Sequence, residues 1–434
     1  MQVEAWLARS ARRFGDRVAV ETPQRSLTYA ELDALAGAGA AELGAPAGAR
    51  VAIALRPGLD FVVALHSVLR SGAVAVPLDP ADPASTERAA DADLVIAAPL
   101  ACRAAPAPAA GHDLDAAALI VRTSGTSGQP KDVPLTFGNV LWSAIGSAVA
   151  LGLDPGERWL CTLPLVHVGG LSIVLRSAIY GTTAVVHERF DATAAARAIA
   201  EESITLVSVV ATTLRRLLDA GLRDPPALRC ALAGGGPLAA ALLARAREAG
   251  VVVSQTYGLT EACSQVATQL PGDGALAAGP PLFCTRVEIG AGGEILVSGP
   301  TVSPSVAGGL LATGDAGELL ADGSLRVLGR ISDTIISGGE NVSPSEVEAV
   351  LEAHPQIAEA GVYGVADEEW GEAVQALVVA RGQLDAGELR SWCAQRLAAY
   401  KVPKAIRFAD ALPRTPSGKL QRRRLAVDDD GASA

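Results

Sequence analysis

The sequence predicts an α/β fold: a large N-terminal domain of stacked, largely parallel sheets with flanking helices, followed by a small α+β C-terminal domain. Three observations carry this expectation. Apolar, strand-like runs alternate with helix-period segments from residue 17 onward, the pattern of a parallel sheet covered by helices. At 434 residues the chain is too long for one ordinary core, so a large domain plus a smaller one is the natural division. Half of the residues (50%) are hydrophobic, ample for burial in both.

The elements follow in order. Residues 3–13 alternate apolar and polar at helical spacing, and 17–20 reads as a short strand. Thr28 and Glu31 offer a capping box for a helix reaching about Leu43. Strand-like 51–55, helical 60–70 and strand-like 73–77 come next, then an irregular Ala/Pro-rich connection over 97–112. The apolar run 116–121 leads into a hydroxyl- and glycine-rich segment, after which 137–149 reads as a helix. Farther on, 176–181 is helical, 208–218 is a strand running into a helix, 239–249 is a helix, and 251–254 and 294–299 are strands. Beyond residue 333 the order is helix 345–353, strands 360–365 and 373–380, helix 385–399 and strand 405–409. Ser343 and Pro344 are placed to cap the first of these helices.

Charge narrows the partners. The formal net charge of −11 and a pI near 5.1 argue against general affinity for nucleic acid or anionic membrane, both of which attract basic surfaces. Six cysteines are scattered without Cys-x-x-Cys spacing, so neither a disulfide scaffold nor a zinc site is expected. The first twenty residues mix acids with four arginines and lack an apolar core, which does not read as a signal peptide. No uninterrupted apolar run reaches the length of a membrane span. The expectation is a cytoplasmic protein acting on small molecules; a homo-oligomer is left open.

The segment 122–136 holds the densest polar signal. Gly125 and Gly128 allow a tight turn with bare N–H groups, Thr123, Ser124, Thr126 and Ser127 add hydroxyls, and Lys131 adds a mobile positive charge. Lys131 follows Pro130 and precedes Asp132, so this is not a Walker A loop. A solvated surface loop is the plainer reading. His167 stands among apolar residues beside Gly169 and Gly170, as a core histidine or beside a ligand path. Gly234, Gly235 and Gly236 form a turn against which a planar ring could lie. In Tyr257-Gly258-Leu259-Thr260-Glu261 a stacking ring, a hydroxyl and a hard oxygen ligand occur together, though Thr260 and Glu261 would equally start a helix. Asp315 ends a Thr-Gly-Asp turn, and Lys419 rides on a glycine turn near the end of the chain.

Taken in chain order, the motifs at 123–136, 257–261, 313–315, 329–341 and 413–419 resemble the adenylate-forming superfamily of acyl-CoA synthetases, luciferases and peptide-synthetase adenylation domains. The wording at 163–181, 208–218 and 257–266 is most like the o-succinylbenzoate-CoA ligases of menaquinone synthesis. The resemblance implies an N-terminal nucleotide- and acyl-binding domain over 1–329 and a mobile lid over 330–434. It implies ATP, Mg²⁺ and coenzyme A, with a small carboxylic acid as the other substrate. By the same resemblance, the loop 123–131 grips the β- and γ-phosphates, and Gly234 to Gly236 and Tyr257 frame adenine. Gly258 belongs to the nucleotide site, Thr260 bonds a phosphate oxygen, and Glu261 ligates the metal. Asp315 holds the ribose, Arg330 contacts the ribose or a phosphate, Asp333 is the hinge, and Lys419 with Thr126 and Glu261 serves catalysis. His167, Arg176, Ser264 and Gln265 line the acid pocket, with Arg176 anchoring a second carboxylate. One position departs from the pattern: the glycine expected after the lysine is Asp132, an acid that disfavours a neighbouring polyphosphate unless it points away. Arg422 to Arg424 read as a solvated cluster, with a contact to a CoA phosphate as the lesser alternative. Another aryl- or acyl-CoA ligase, a carrier-loading adenylation enzyme, or a nucleotide-binding sensor are the rival readings.

Overall fold

A computed structural model describes residues 1–83, 85–109, 111–123, 131–414 and 420–426, with only the backbone of Thr86 and Arg88. Among these residues the N-terminal part is built on three larger sheets and a two-stranded antiparallel pairing of Gln2–Val3 with His112–Asp113. The largest has eight strands in the spatial order Ser264–Thr268, Val253–Leu259, Cys230–Ala233, Leu206–Val209, Arg158–Cys161, Thr183–Val186, Val18–Glu21 and Ser26–Thr28. Its interior pairings are parallel and the pairing at each edge is antiparallel. The inner strands Leu206–Val209 and Cys230–Ala233 are buried throughout, which is why they read as continuous apolar runs rather than alternating ones.

A second sheet runs Leu94–Ile96, Arg50–Ile53, Val74–Pro77, Ala117–Thr123 and Lys131–Thr136. Its last pair is an antiparallel hairpin in which Arg122 stands opposite Asp132 and Thr123 opposite Lys131. The polar segment expected to leave a strand as a loop therefore returns as a strand of its own. Its buried residues are Val133 and Leu135, and Pro134 is tolerated because this is an edge strand. A four-stranded antiparallel sheet, Arg286–Ile289, Glu294–Ser298, Leu310–Leu319 and Leu325–Arg330, completes this part.

Local chemistry sets the helix ends. The Thr28 hydroxyl accepts from the Glu31 amide at 3.2 Å while the Glu31 carboxylate accepts from the Thr28 amide at 2.8 Å. This closes the expected capping box at the start of Tyr29–Leu43. The same reciprocal arrangement between Thr136 and Asn139 starts helix Phe137–Leu151. Ser343 does stand before helix Pro344–Glu352, but its hydroxyl does not cap it. It donates instead to the Leu328 carbonyl at 2.7 Å, tying the helix entry to the last strand of the preceding sheet.

Beyond residue 334 the chain forms a separate α+β unit. Strands Glu340–Val342, Ile335–Ser337, Gly371–Ala380 and Ile357–Asp367 lie side by side, and Ala405–Phe408 pairs with Gly371–Ala380 in parallel. Its core, including Ile335, Val347, Leu351, Val362, Val374 and Leu389, shares no residue with the N-terminal cores. The helix expected over 385–399 stops at Ala394 and is followed by a short 3₁₀ turn, Ala399–Lys401. No helix among the described residues is long and apolar enough to cross a membrane.

Candidate active site

The site assembles where the edge of the large sheet meets the four-stranded sheet. Strand Val253–Leu259 runs farther than its sequence suggests, so Tyr257 and Gly258 lie inside it, and Thr260 and Glu261 occupy a short 3₁₀ turn rather than a helix start. The strand turns back on itself into Ser264–Thr268 with a shift of register between Tyr257 and Gly258. At that shift the backbones nearly touch: a Cβ on Gly258 would fall 1.7 Å from the Ser264 carbonyl oxygen. The turn itself places Cys263 and Ser264 at φ 53° and 93°, a left-handed conformation that L side chains rarely adopt.

Tyr257, Asp315 and Arg330 come together from three strands. The Tyr257 hydroxyl donates to Asp315 Oδ2 at 2.7 Å, and Arg330 Nε meets Asp315 Oδ1 at 2.8 Å. Arg330 also donates to the Thr313 carbonyl at 3.1 Å, and the Thr313 hydroxyl accepts from the Asp315 amide. Thr313-Gly314-Asp315 is thus part of strand Leu310–Leu319, not a free turn. Burial and the Asp315 charge both push the Tyr257 phenol well above its ordinary range, so it stays a neutral donor. Each Asp315 oxygen carries one partner here, which leaves acceptor capacity for a diol.

Glu261 is half-buried, and its carboxylate has no hydrogen-bond or ion-pair partner among the described residues. A lone hard oxygen donor fits Mg²⁺, which draws most of its shell from water and substrate phosphates rather than from a protein cage. No group of three or more potential metal ligands occurs among the described residues. Thr123 and Lys131 face each other across the mouth of the hairpin, with Lys131 exposed. Ser124, Gly125, Thr126, Ser127 and Gly128 lie outside the described residues, as does Lys419. Gly234, Gly235 and Gly236 follow strand Cys230–Ala233, and of these Gly235 has the left-handed φ of 79°.

The residues expected around the acid fall into two layers. His167 is exposed at the start of helix Val168–Tyr180. Arg176, on the same helix, is 3% exposed. Its Nη2 donates to the Ser143 hydroxyl at 3.0 Å, and that hydroxyl donates to the Cys263 carbonyl at 2.6 Å. Arg176 Nε has no partner, and Arg176 lines a small cavity with Ser143, Val168, Leu171 and Cys263. Ser264 is half-buried, whereas Gln265 is buried, its Nε2 donating to the Thr268 hydroxyl at 2.8 Å and its Oε1 unpartnered. Ser143 carries no motif and was invisible to sequence reasoning. Asn139, which donates to the carbonyls of Pro300 and Val302, was detectable as the partner of Thr136 in a capping box.

Two charged residues differ from their sequence reading. Asp132 does not face a phosphate loop unpaired: Arg122 Nε approaches one of its oxygens at 2.6 Å and Arg50 Nη2 the other at 3.2 Å. Arg422 is not a solvated cation. It pairs with Glu348 and with Asp333, the latter at 3.3 Å, and donates to the Val362 carbonyl. Those two acids raise its pKa against the opposing effect of burial. Asp333 closes the 3₁₀ turn Ile331–Asp333.

Known proteins resemble this chain in sequence and in fold. A family model described as AMP-binding enzyme matches residues 7–92 and 81–311, and one described as AMP-binding enzyme C-terminal domain matches 346–419. A 2-succinylbenzoate--CoA ligase of Bacillus licheniformis is 48% identical over 72% of this chain and 70% of its own length. That of Geobacillus kaustophilus is 40% identical over 97% and 96%. The o-succinylbenzoate CoA synthetase from Bacillus subtilis in complex with the acyl-adenylate intermediate OSB-AMP superposes with a TM-score of 0.89, at 36% identity and 98% coverage of both chains. A double mutant of that enzyme bound with its product analogue OSB-NCoA gives 0.72, at 37% identity and the same coverage. With its family models covering most of the sequence and its fold matched end to end, the chain belongs to the AMP-binding enzyme family.

Proposed function

We propose that the chain is an ATP-dependent carboxylic acid–CoA ligase that converts o-succinylbenzoate, ATP and CoA into o-succinylbenzoyl-CoA, AMP and pyrophosphate through an acyl-adenylate. The observation that carries this reading is the Tyr257–Asp315–Arg330 cluster, with the unpartnered Glu261 carboxylate on the turn that follows the Tyr257 strand, in a chain whose relatives are 2-succinylbenzoate--CoA ligases. In the first step the substrate carboxylate attacks the α-phosphate of ATP and pyrophosphate leaves. In the second the CoA thiol attacks the acyl carbon and AMP leaves. A carboxylate approaching a polyanion is repelled, so the protein's contribution is positioning and fixed positive charge.

Asp315 accepts the ribose hydroxyls, with Tyr257 and Arg330 fixing its orientation. Glu261 would hold Mg²⁺, which when bound neutralises phosphate charge. Thr123, Lys131 and residues 124–128 cradle the phosphates, and Lys419 carries the charge that bridges carboxylate and α-phosphate. The acid pocket is assigned to His167, Arg176, Ser264 and Gln265. The unpartnered Arg176 Nε and Gln265 Oε1 support polar contacts there, and the buried guanidinium suits the second carboxylate of a dicarboxylic acid. The domains divide at 329/330 with Asp333 as hinge, and an acidic enzyme of small-molecule substrates belongs in the cytoplasm.

The test is CoA consumption by the full-length protein with a panel of carboxylic acids, paired with acid-dependent pyrophosphate exchange. The reading expects o-succinylbenzoate to be preferred and Lys419→Ala to lower exchange by about 10²- to 10³-fold. Preference for another acid, acylation of a carrier protein in place of CoA, or no exchange with any acid would each overturn it.

A further inference from the structure

One carboxylate joins the two halves of the molecule. Arg215 lies on helix Ala211–Asp219, whose Leu214 and Leu217 are buried in the N-terminal core. Its guanidinium pairs with Oε1 of Glu359, on strand Ile357–Asp367 of the C-terminal unit. The other oxygen, Oε2, accepts from Arg414 Nη2 at 2.7 Å. Arg215 and Glu359 are only 15% and 20% exposed, so this is a shielded contact and not a surface pair of little consequence. Removing one partner leaves the other charge poorly solvated.

The position of Arg414 gives the contact its meaning. Arg414 is the last residue before 415–419, it pairs with Leu420 across that interval, and the Gln421 amide donates to the Pro413 carbonyl at 2.9 Å. On the far side Arg422 is held by Glu348 and Asp333. Both flanks of the lysine-bearing segment are therefore fixed to acids, and only through Glu359 is that anchoring extended by a charge pair to the N-terminal core among these contacts. At equal coverage the described arrangement is closer to the relative's acyl-adenylate complex than to its product-analogue complex.

We propose that Glu359 is a positioning residue for the adenylate-forming step: bridging Arg215 and Arg414, it sets the C-terminal unit and the flank of Lys419 against the N-terminal domain. It touches neither substrate nor nucleotide in this role, and the thioester-forming step does not require the bridge. This rests on the ligase reading above.

The experiment measures the two half-reactions separately on the full-length enzyme: pyrophosphate exchange with o-succinylbenzoate, and thioester formation from preformed o-succinylbenzoyl-adenylate and CoA. Glu359→Gln and Arg215→Gln are expected to lower the kcat of exchange by about 10- to 100-fold with the KM for ATP within about threefold, as for a displaced catalytic group. Thioester formation should stay within about twofold, and Arg215→Lys should recover most of the exchange, since it keeps the charge. Should Glu359→Gln fold poorly, Arg215→Gln carries the test from the other side of the interface. Equal loss in both half-reactions, or no loss in either, would overturn the proposal. If the wild type catalyses no exchange, it is the ligase reading that fails. Small-angle scattering then decides the bridge independently: altered domain spacing in Arg215→Gln supports it, and unchanged profiles overturn it.

Discussion

The carboxylate of Asp132 is shared between Arg122 Nε at 2.6 Å, from the facing strand of its hairpin, and Arg50 Nη2 at 3.2 Å, from strand Arg50–Ile53 of the same sheet. An acid at a position where the resemblance expects glycine is therefore paired with two guanidinium groups within its own sheet. Half-exposed pairs of this kind contribute on the order of 1 kcal/mol. Asp132→Asn is expected to lower unfolding stability by about that amount while leaving the KM for ATP within about twofold. Denaturant titration and steady-state kinetics check both, and a large fall in KM would mean the charge reaches the nucleotide after all.

Asp315 sits between a neutral phenol and a guanidinium, so its charge is both fixed and needed. Asp315→Asn keeps the shape but replaces one acceptor oxygen by an amide facing a donor. Hydrogen bonds to charged groups are worth about 1.5–3 kcal/mol, so the KM for ATP should rise about 10- to 100-fold with a smaller effect on the KM for the acid. Equal changes in both constants would place Asp315 outside the nucleotide site.

Gly258 has no freedom to change, because the Ser264 carbonyl oxygen occupies the place of its Cβ. Gly258→Ala must push apart strands Val253–Leu259 and Ser264–Thr268, which carry Tyr257 on one side and Ser264 and Gln265 on the other. The expected result is a loss of several kcal/mol of stability, typical of overpacking against backbone, and loss of both nucleotide and acid binding. Near-normal melting temperature and activity would contradict the close approach.

Much of this was legible in the chain itself. Alternating apolar runs gave the parallel sheets, since strands buried on both faces leave an uninterrupted signal, and the Thr28/Glu31 pair marked a helix start that the structure reproduces. What could not be read depends on distant partners. Lys131–Thr136 looked like loop because Lys131, Asp132 and Pro134 hide the inward alternation of Val133 and Leu135. Arg422 looked solvated because Glu348 and Asp333 lie 74 and 89 residues away. Ser343 looked like a cap, yet its hydroxyl found a strand carbonyl brought alongside by the fold. The Ser143 bridge between Arg176 and the Cys263 carbonyl has no sequence signature at all.

Acid should act with opposite sign on the two parts of the molecule. His66 and His112 are buried in the N-terminal part, His112 stacked on Phe137, and burial pushes both pKa values down to about 4. Between the ordinary histidine value and 4 the unfolded chain binds protons that the folded chain refuses, so their contribution to stability is full at neutral pH and is lost as pH falls. Glu352, in the C-terminal unit, is pushed up to about 7, first by burial. Between the ordinary carboxylate value and 7 the folded chain keeps a proton that the unfolded chain has released, so its contribution is greatest in acid and declines as pH rises toward 7. Glu352→Gln should therefore gain on the wild type as pH is raised from 5 to 8, and His66→Leu should gain as pH is lowered from 7 to 5, each by on the order of 1–3 kcal/mol. Denaturant unfolding of the full-length proteins across this range checks the signs. Parallel curves for wild type and either variant would show that the group in question titrates alike in the folded and unfolded chain.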